Sequence, residues 1–395
     1  VGSGKTVVAA LAAVPVVESG YQVALMAPTE ILAEQHFHNL SLWLEPLGIK
    51  VQCLLGADKG KKRSLKEQQI AKAEVQVVVG THALFQASVE FNRLGLIVFD
   101  EQHRFGVDQR LALQKKTRDD EMAHQLIMTA TPIPRTMAMS IYADLDYSQI
   151  DELPPGRKAI RTSVVSEQQR GSLIQRVARS CEQGGQVYWV CTLVEESEAL
   201  QCEAAEITFE NLQNQLPQLS IGLVHGRMKA TEKEAAINAF KSAQTQILVA
   251  TTVIEVGVDV PNASIMIIEN PERLGLSQIH QLRGRVGRGA RESFCILLVK
   301  NALSETARTR LDIIRSTQDG FVIAEKDLEM RGAGEVLGTR QTGDMSFRIA
   351  DLMRDQQWFS QVNELAEMLQ RAEYRDEREL LLQNWIGDRQ EYSDV

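Results

Sequence analysis

The chain has 395 residues, of which 44% are hydrophobic and 24% charged, with a formal net charge of −9. These proportions describe an ordinary globular chain long enough for roughly two or three domains, and exclude a low-complexity or disordered one. The acidic balance argues against a simple nucleic-acid binder, which carries a basic excess, although Arg283, Arg285, Arg288 and Arg291 form a local basic run.

The chain opens on Val1-Gly2-Ser3-Gly4-Lys5-Thr6, the back end of the phosphate-binding pattern G-x-x-x-x-G-K-[ST]. The first glycine of that pattern, and the strand that leads into the loop, are expected just upstream of Val1. A piece of a longer chain is therefore expected, with an incomplete phosphate cradle and weak ATP binding of its own. In this pattern backbone N–H groups and the following helix N-terminus face phosphate oxygens. The Lys5 ammonium reaches the β- and γ-phosphates, and the Thr6 hydroxyl ligates Mg2+. Gly2, Gly4, Lys5 and Thr6 are thus candidate nucleotide-binding residues; the competing reading is a chance G-S-G-K-T in a flexible terminus.

Strands are predicted at 22–27, 75–80, 94–99 and 126–129, each followed by polar or glycine-containing residues and then a helical pattern. That alternation predicts an α/β class, a parallel sheet covered by helices, with functional loops at the C-terminal ends of the strands. The third strand ends in Asp100-Glu101-Gln102-His103. A carboxylate at the end of a buried strand is costly unless a positive charge offsets it. A magnesium ion held by Asp100 through water does so, which leaves Glu101 to orient and deprotonate an attacking water. Two acids opening an exposed loop is the competing reading. Thr129-Ala130-Thr131-Pro132 follows the fourth strand; its hydroxyls suit either a bridge from the magnesium site to a cleft or a helix N-cap.

The stretch Asp151 to Arg157, DELPPGR, can continue neither a helix nor a central strand and is read as a linker. The alternation then resumes, with strands predicted at 186–191, 221–224, 247–250, 264–268 and 294–299. This predicts a second parallel-sheet domain that resembles the first in pattern and not in residues. Two such lobes form a cleft suited to a ligand. Asp259 is a candidate for binding ribose, and Thr251 or Thr252 for a nucleic-acid phosphate. The glycines interleaved with Arg283, Arg285 and Arg288 allow close approach to phosphate. Arg285 and Arg288 suit arginine fingers placed across from Lys5; a nucleic-acid clamp and a solvated basic loop are the alternatives. From about residue 301 the chain becomes charged and helical, with a glycine-rich loop over 331–343 and helices over 351–395 that bear Trp358 and Trp385.

Five cysteines (Cys53, Cys181, Cys191, Cys202 and Cys295) contain no C-x-x-C pair, so reduced thiols of a cytosolic protein are expected. His36 and His38 lack a third ligand nearby in sequence, and no metal site is expected there. No apolar run approaches membrane-spanning length.

Gly4-Lys5-Thr6, Asp100-Glu101-Gln102-His103, Thr129-Ala130-Thr131 and Gln281-x-x-Gly284-Arg285-x-Gly287-Arg288 occur here in the order found in superfamily 2 helicases. Ala27-Pro28-Thr29-Glu30, Gly80-Thr81-His82 and His225-Gly226-Arg227-Met228 match as well. The fuller strings DEQHRFG from Asp100, TATPIPRT from Thr129, DELPPGR from Asp151 and RGAGEVLGTRQTG from Arg331 resemble the bacterial RecG family, and the resemblance covers essentially the whole chain.

The resemblance implies two tandem RecA-like lobes of the P-loop NTPase class plus a small helical C-terminal region. It implies an ATP-binding lobe over 1–150, a linker over 151–158, a C-terminal lobe over 159–300, a translocation hairpin and loop over 301–350, and a helical segment over 351–395. It also implies an ATP-dependent DNA helicase that uses ATP and Mg2+ to move on double-stranded DNA. Its work would be regression of replication forks and branch migration of Holliday junctions, in recombination and repair. Branched DNA and a single-stranded-DNA-binding protein are the implied partners, with a monomer acting in the cytoplasm and no membrane. No counterpart of the family's wedge domain is expected in this chain, and that domain is expected to carry basic surface.

By residue, the resemblance implies catalytic roles for Asp100, Glu101, Arg285 and Arg288. It adds nucleotide-binding roles for Gln281, Gly257 and Asp259, and metal binding by Thr6 and Asp100. Thr29, Thr81, His103, Thr129, Thr131, Thr251, Arg310, Arg331 and Gln341 would contact nucleic acid or couple hydrolysis to movement. Without the resemblance, Arg310, Arg331 and Gln341 read as ordinary surface residues and a turn. The transcription-repair coupling translocases share the lobes and the translocation element, but the 151–157 and 331–343 strings favour RecG. RNA helicases of the DEAD-box group have Asp-Glu-Ala-Asp in place of Asp100 to His103. A binding or scaffold protein without hydrolysis is disfavoured, because each catalytic position present carries the right residue type.

Overall fold

The computed structural model describes residues 2–101, 105, 107–117, 122–130, 146–152, 154, 157–192, 198–252, 260–289, 291–300, 303–331, 355 and 358–385. Among these, two parallel sheets stand in succession, each flanked by helices. The first half runs α1 (Lys5–Glu18), β1 (Gln22–Met26), α2 (Glu30–Leu44), β2 (Val51–Leu54), α3 (Gly60–Ala71), β3 (Val77–Gly80), β4 (Leu94–Asp100), α4 (Val107–Gln114) and β5 (His124–Met128). Its sheet order is β2-β3-β1-β4-β5. The all-apolar runs sit in the middle: every residue of β1 and β3 is buried, as strands covered on both faces must be. Register pairs Met26 with both Gly80 and Phe99, and Asp100 with Met128. The C-terminal ends of β1, β3, β4 and β5 are therefore level, and the segments beginning at Ala27, Thr81, Glu101 and Thr129 emerge along one edge.

The second half runs β6 (Ile160–Ser166), α5 (Arg170–Glu182), β7 (Gln186–Cys191), α6 (Glu198–Gln215), β8 (Ile221–Val224), α7 (Ala230–Lys241), β9 (Ile247–Ala250), β10 (Ala263–Glu269), α8 (Leu276–Arg283), β11 (Ser293–Val299) and α9 (Glu305–Ser316). Its sheet order is β6-β11-β10-β7-β9-β8, again parallel throughout. Trp189, Tyr188 and Phe240 are among the largest fully buried side chains of this half, each worth roughly 1.5–3 kcal/mol of apolar burial.

Nine predicted strands are present, with ends shifted by up to two residues. Two further strands, β2 and β6, were not expected. Both are edge strands with only one buried residue each. Half-exposed edges need no continuous apolar run, and Ile160–Ser166 reads Ile-Arg-Thr-Ser-Val-Val-Ser.

The expectation that the halves match in pattern alone is too weak. Gln22 opens β1 and donates from Nε2 to the carbonyls of Ile70 (2.9 Å) and Val75 (2.8 Å). Gln186 opens β7 and donates from Nε2 to Phe240 (2.6 Å) and Thr245 (2.8 Å). In each half the clamped turn contains an alanine at positive φ, Ala73 at 56° and Ala243 at 59°. It is followed by a glutamine that accepts a backbone N–H, Gln76 from Lys50 (2.9 Å) and Gln246 from Ser220 (2.7 Å). These residues lie at the N-terminal ends of the strands, away from the edge that carries the candidate site.

By contacts the chain forms two compact units, one of Val1–Thr131 with Ile150–Ile323 and one of Pro132–Gln149 with Ala324–Val395. Both sheets belong to the first. The second holds most of α10 (Gly320–Arg331) together with α11 (Phe359–Leu369) and α12 (Arg375–Trp385).

Candidate functional site

The site starts at the N-terminus of α1. Gly4 is its N-cap at φ 96°, and Gly2 has φ 69°, a left-handed backbone that side chains with a Cβ resist. A Cβ on Gly2 would also lie 2.5 Å from Nη1 of Arg157. The N–H of Val7 reaches back to the Gly4 carbonyl at 2.9 Å. The N-cap of α1 supplies no side-chain hydrogen bond, so the N–H groups of Lys5 and Thr6 stand at a helix N-terminus of the kind that binds anions.

Asp100 ends β4 as a buried carboxylate, and its Oδ2 accepts from Nε2 of His36, on α2, at 2.7 Å. The next residue, Glu101, has φ 57°. A non-glycine residue held there is strained, and such strain gathers at functional positions. The strain is held by neighbours at and just past the end of β5: the Glu101 N–H donates to the Met128 carbonyl at 2.9 Å, and the Ala130 N–H donates to Glu101 Oε2 at 3.4 Å. The pairing of β4 with β5 thus aims the Glu101 carboxylate along the edge of the sheet.

Lys5, Asp100 and Glu101 of the first half share one electrostatic cluster with Arg285 and Arg288 of the second. Burial lowers the Lys5 ammonium; Glu101 and Asp100 hold it up, and Arg285 and Arg288 push it down again. Burial, and then Arg288, push Arg285 down to about 10, against the attraction of Glu101. Arg285 stays charged at neutral pH, in a place where several basic groups converge. A polyanion is the natural occupant of such a place.

Arg157, from the DELPPGR stretch, joins the two walls. Its Nη1 donates to the Gly2 carbonyl at 3.1 Å and its Nη2 to the Gly284 carbonyl at 3.4 Å. Behind the arginines, α8 is fastened by Arg283. Its Nη1 donates to the carbonyls of Ile314 (2.6 Å) and Thr317 (2.9 Å), and its Nη2 meets Nδ1 of His280 at 3.1 Å. Burial first, and the Arg283 charge second, push His280 down to about 3. It is neutral, and Nδ1 accepts from the guanidinium.

The remaining expected residues are scattered in kind. Gln281 is buried on α8. Thr29 caps α2, accepting the Leu32 N–H at 3.4 Å, and Thr81 is buried just past β3. Thr129 follows β5, Thr251 is buried after β9, and Thr6 stands in the first turn of α1. Arg310 points inward, donating from Nη1 to the Glu272 (3.2 Å) and Leu274 (3.3 Å) carbonyls. Arg331 ends α10. His103, Thr131, Gly257, Asp259 and Gln341 lie outside the described residues, as does most of the 331–343 loop. The residues that sequence reasoning missed are His36 and Arg157; Arg283, expected to approach phosphate with Arg285 and Arg288, instead holds the Ile314 and Thr317 carbonyls. Only the arginine of DELPPGR had a signal, its place in a Pro-Pro-Gly sequence between two segments expected to bind nucleotide.

The donors near Lys5 are a hydroxyl and carboxylates, the hard oxygens that Mg2+ prefers. Among the described residues no three His, Cys, Asp or Glu side chains converge as a metal cage. Mg2+ takes one or two protein carboxylates and fills its shell with water and substrate phosphate. The cysteines are all free. Burial pushes the Cys53 and Cys295 thiols up to about 12 and Cys181 to about 11, away from the thiolate form that reacts.

Residues 1–140 match the DEAD/DEAH box helicase family, residues 169–290 the helicase conserved C-terminal domain, and residues 317–385 the family described as ATP-dependent DNA helicase RecG, domain 3, C-terminal. The chain is 58% identical over 397 residues to the ATP-dependent DNA helicase RecG of Escherichia coli O157:H7 and to that of Haemophilus influenzae. In both cases the match covers 100% of this chain and 57% of the relative, so the chain spans little more than half the length of these relatives. A structure of RecG bound to a three-way DNA junction superposes with a TM-score of 0.73 at 41% identity, over 91% of this chain and 46% of that one. The yeast protein Dbp5 bound to RNA and ADP BeF3 gives a TM-score of 0.58 at 15% identity, over 94% and 87%, a likeness of fold alone.

Proposed function

The chain belongs to the RecG family of ATP-dependent DNA helicases, and from that premise we propose that it is the motor of an enzyme that spends ATP to remodel branched double-stranded DNA. The observation that carries the proposal is the charge cluster of Lys5, Asp100 and Glu101 with Arg285 and Arg288, drawn from both halves of the chain. A site assembled from two lobes senses their approach, which is what a motor requires of its hydrolysis step.

In this reading the N–H groups at the start of α1 and the Lys5 ammonium bind the terminal phosphates of ATP. Thr6 and Asp100 would hold Mg2+, which when bound neutralises phosphate charge. Glu101 accepts the proton of the attacking water, from a carboxylate pre-aimed by the Met128 and Ala130 contacts. Arg285 and Arg288 stabilise the charge that develops on the transferred phosphoryl group. Gln281, Gly257 and Asp259 complete the nucleotide contacts. Thr29, Thr81, His103, Thr129, Thr131 and Thr251 meet the nucleic acid, and Arg331 and Gln341 pass lobe movement to the duplex, while Arg310, expected to share that role, braces the 272–274 carbonyls. Residues 151–158 serve as the hinge between lobes, and Arg157 as its strap.

Fork regression and Holliday-junction migration are the proposed outputs, with branched DNA as the partner. A single-stranded-DNA-binding protein as a second partner, a monomeric state and a cytoplasmic setting are proposed from the family. None of the described helices is long and apolar enough to cross a membrane. The test is ATPase stimulation in the complete protein. Forked DNA should stimulate far more than RNA or linear duplex, and preferential stimulation by RNA would overturn the proposal.

A further inference from the structure

We infer that His36 is a positioning residue for the proposed magnesium carboxylate: its Nε2–H holds Oδ2 of Asp100 and so sets the direction in which the carboxylate meets the cation. The bond is 2.7 Å long and joins residues 64 apart in the chain. His36 is 6% exposed and Asp100 8%. An ionised carboxylate only accepts hydrogen bonds, so Nε2 carries the hydrogen and donates. A carboxylate free at both oxygens rotates about its last torsion; one held at Oδ2 does not. The imidazole is itself fixed, because α2 buries Leu32, Ala33 and Leu40 on either side of it.

The other edge of the ring decides between packing and positioning. Nδ1 is buried and has no hydrogen-bond partner among the described residues. A buried polar atom left unpaired carries a penalty, so the ring is a poor choice as mere filling for α2. What it supplies in return is one donor at a fixed height over Asp100. Side chains that hold a metal-binding carboxylate in this way typically govern metal affinity by about 10–100-fold. His36 touches neither substrate nor reacting atoms; it acts through Asp100.

The inference rests on the reading of Asp100 as the magnesium ligand, and its test separates the two. In the complete protein, binding of a fluorescent ATP analogue is followed during titration with MgCl2 and again in EDTA. His36→Ala should raise the Mg2+ concentration needed for half-maximal enhancement by about 10–100-fold and leave affinity in EDTA unchanged. His36→Gln, whose amide still donates near the position of Nε2, should restore most of the loss. His36→Asn, too short to reach, should not, and it serves in place of His36→Ala should the alanine variant fail to fold. Asp100→Asn is the control. If it abolishes the Mg2+ enhancement while all His36 variants keep it, the inference fails alone, and a lowered unfolding temperature in those variants then marks a purely structural bond. If Asp100→Asn keeps the enhancement, the magnesium assignment fails, and the inference with it.

Discussion

Nη1 of Arg283 donates to the carbonyl of Ile314 at 2.6 Å, pinning the end of α8 to the last turn of α9. The same nitrogen also reaches the Thr317 carbonyl at 2.9 Å, so a buried cation faces the negative end of a helix. Arg283→Met should leave these carbonyls unpaired in a buried place and destabilise the protein by about 3–5 kcal/mol. Arg283→Lys keeps the charge but not the fork and should cost about half as much. Urea denaturation followed by the fluorescence of the buried Trp189 measures both; equal midpoints for wild type and Arg283→Met would contradict the assignment.

His280 sets a pH dependence of stability. Its folded value lies near 3, against 6.5 for an ordinary histidine, so the unfolded chain takes up a proton that the folded chain refuses. The stabilisation is fully present above pH 6.5 and is lost as the pH falls toward 3. The slope is about 1.4 kcal/mol per pH unit, or about 2 kcal/mol between pH 6.5 and 5. H280Q should show a shallower decline over that window by this amount. Parallel curves for the two proteins would show that His280 titrates normally in the fold.

Hydrolysis should depend on Lys5 and Glu101 in different ways. Lys5→Ala removes a cation from ground and transition states alike and should raise KM as well as lower kcat. Glu101→Gln keeps the shape of the side chain and removes the base, so kcat should fall about 10²–10⁴-fold with nucleotide binding intact. ATPase assays with isothermal titration give both quantities. A Glu101→Gln enzyme within tenfold of wild type would place the base elsewhere.

How much of this was legible beforehand follows from where each signal lives. Asp100-Glu101 and Gly4-Lys5-Thr6 are contiguous, and a strand that ends in acids or a glycine-rich turn shows locally. Strands β1, β3 and β4 are buried on both sides and read as apolar runs; β2 and β6 lie at sheet edges and do not. In the sequence His36 is at most half of an H-x-H pair, because its partner Asp100 stands 64 residues away. Arg283 looked like one more arginine of a basic run, because its carbonyl acceptors belong to another helix, 31 and 34 residues on. Glu101's φ of 57° has no sequence signature at all, glutamate being no common occupant of that region.

The stability end of the fold makes its own prediction. Besides its two donations, Gln22 accepts the Asn92 N–H at 2.7 Å on Oε1, so one side-chain amide ties three chain segments below the first sheet. Gln22→Leu fills the space but strands the carbonyls of Ile70 and Val75, and should cost about 2–4 kcal/mol. Because these bonds lie at the opposite ends of the strands from Asp100, KM for ATP should not change at temperatures where the variant is folded. A shifted KM would mean that the sheet transmits the loss to the site.

The last prediction separates fuel use from movement. Arg310 braces the 272–274 carbonyls, whereas Arg331 stands at the end of α10, where the glycine-rich 331–343 stretch begins. If Arg331 and Gln341 engage the duplex, removing them disconnects hydrolysis from work without touching the charge cluster. Arg331→Ala and Gln341→Ala should therefore lose fork unwinding by at least about tenfold while DNA-stimulated ATPase falls by less than about threefold. Arg310→Ala, which leaves two backbone carbonyls unpaired, should lower stability by about 1–3 kcal/mol and affect both activities together. Equal loss of both activities in Arg331→Ala, accompanied by a lower unfolding temperature, would assign that residue to folding instead.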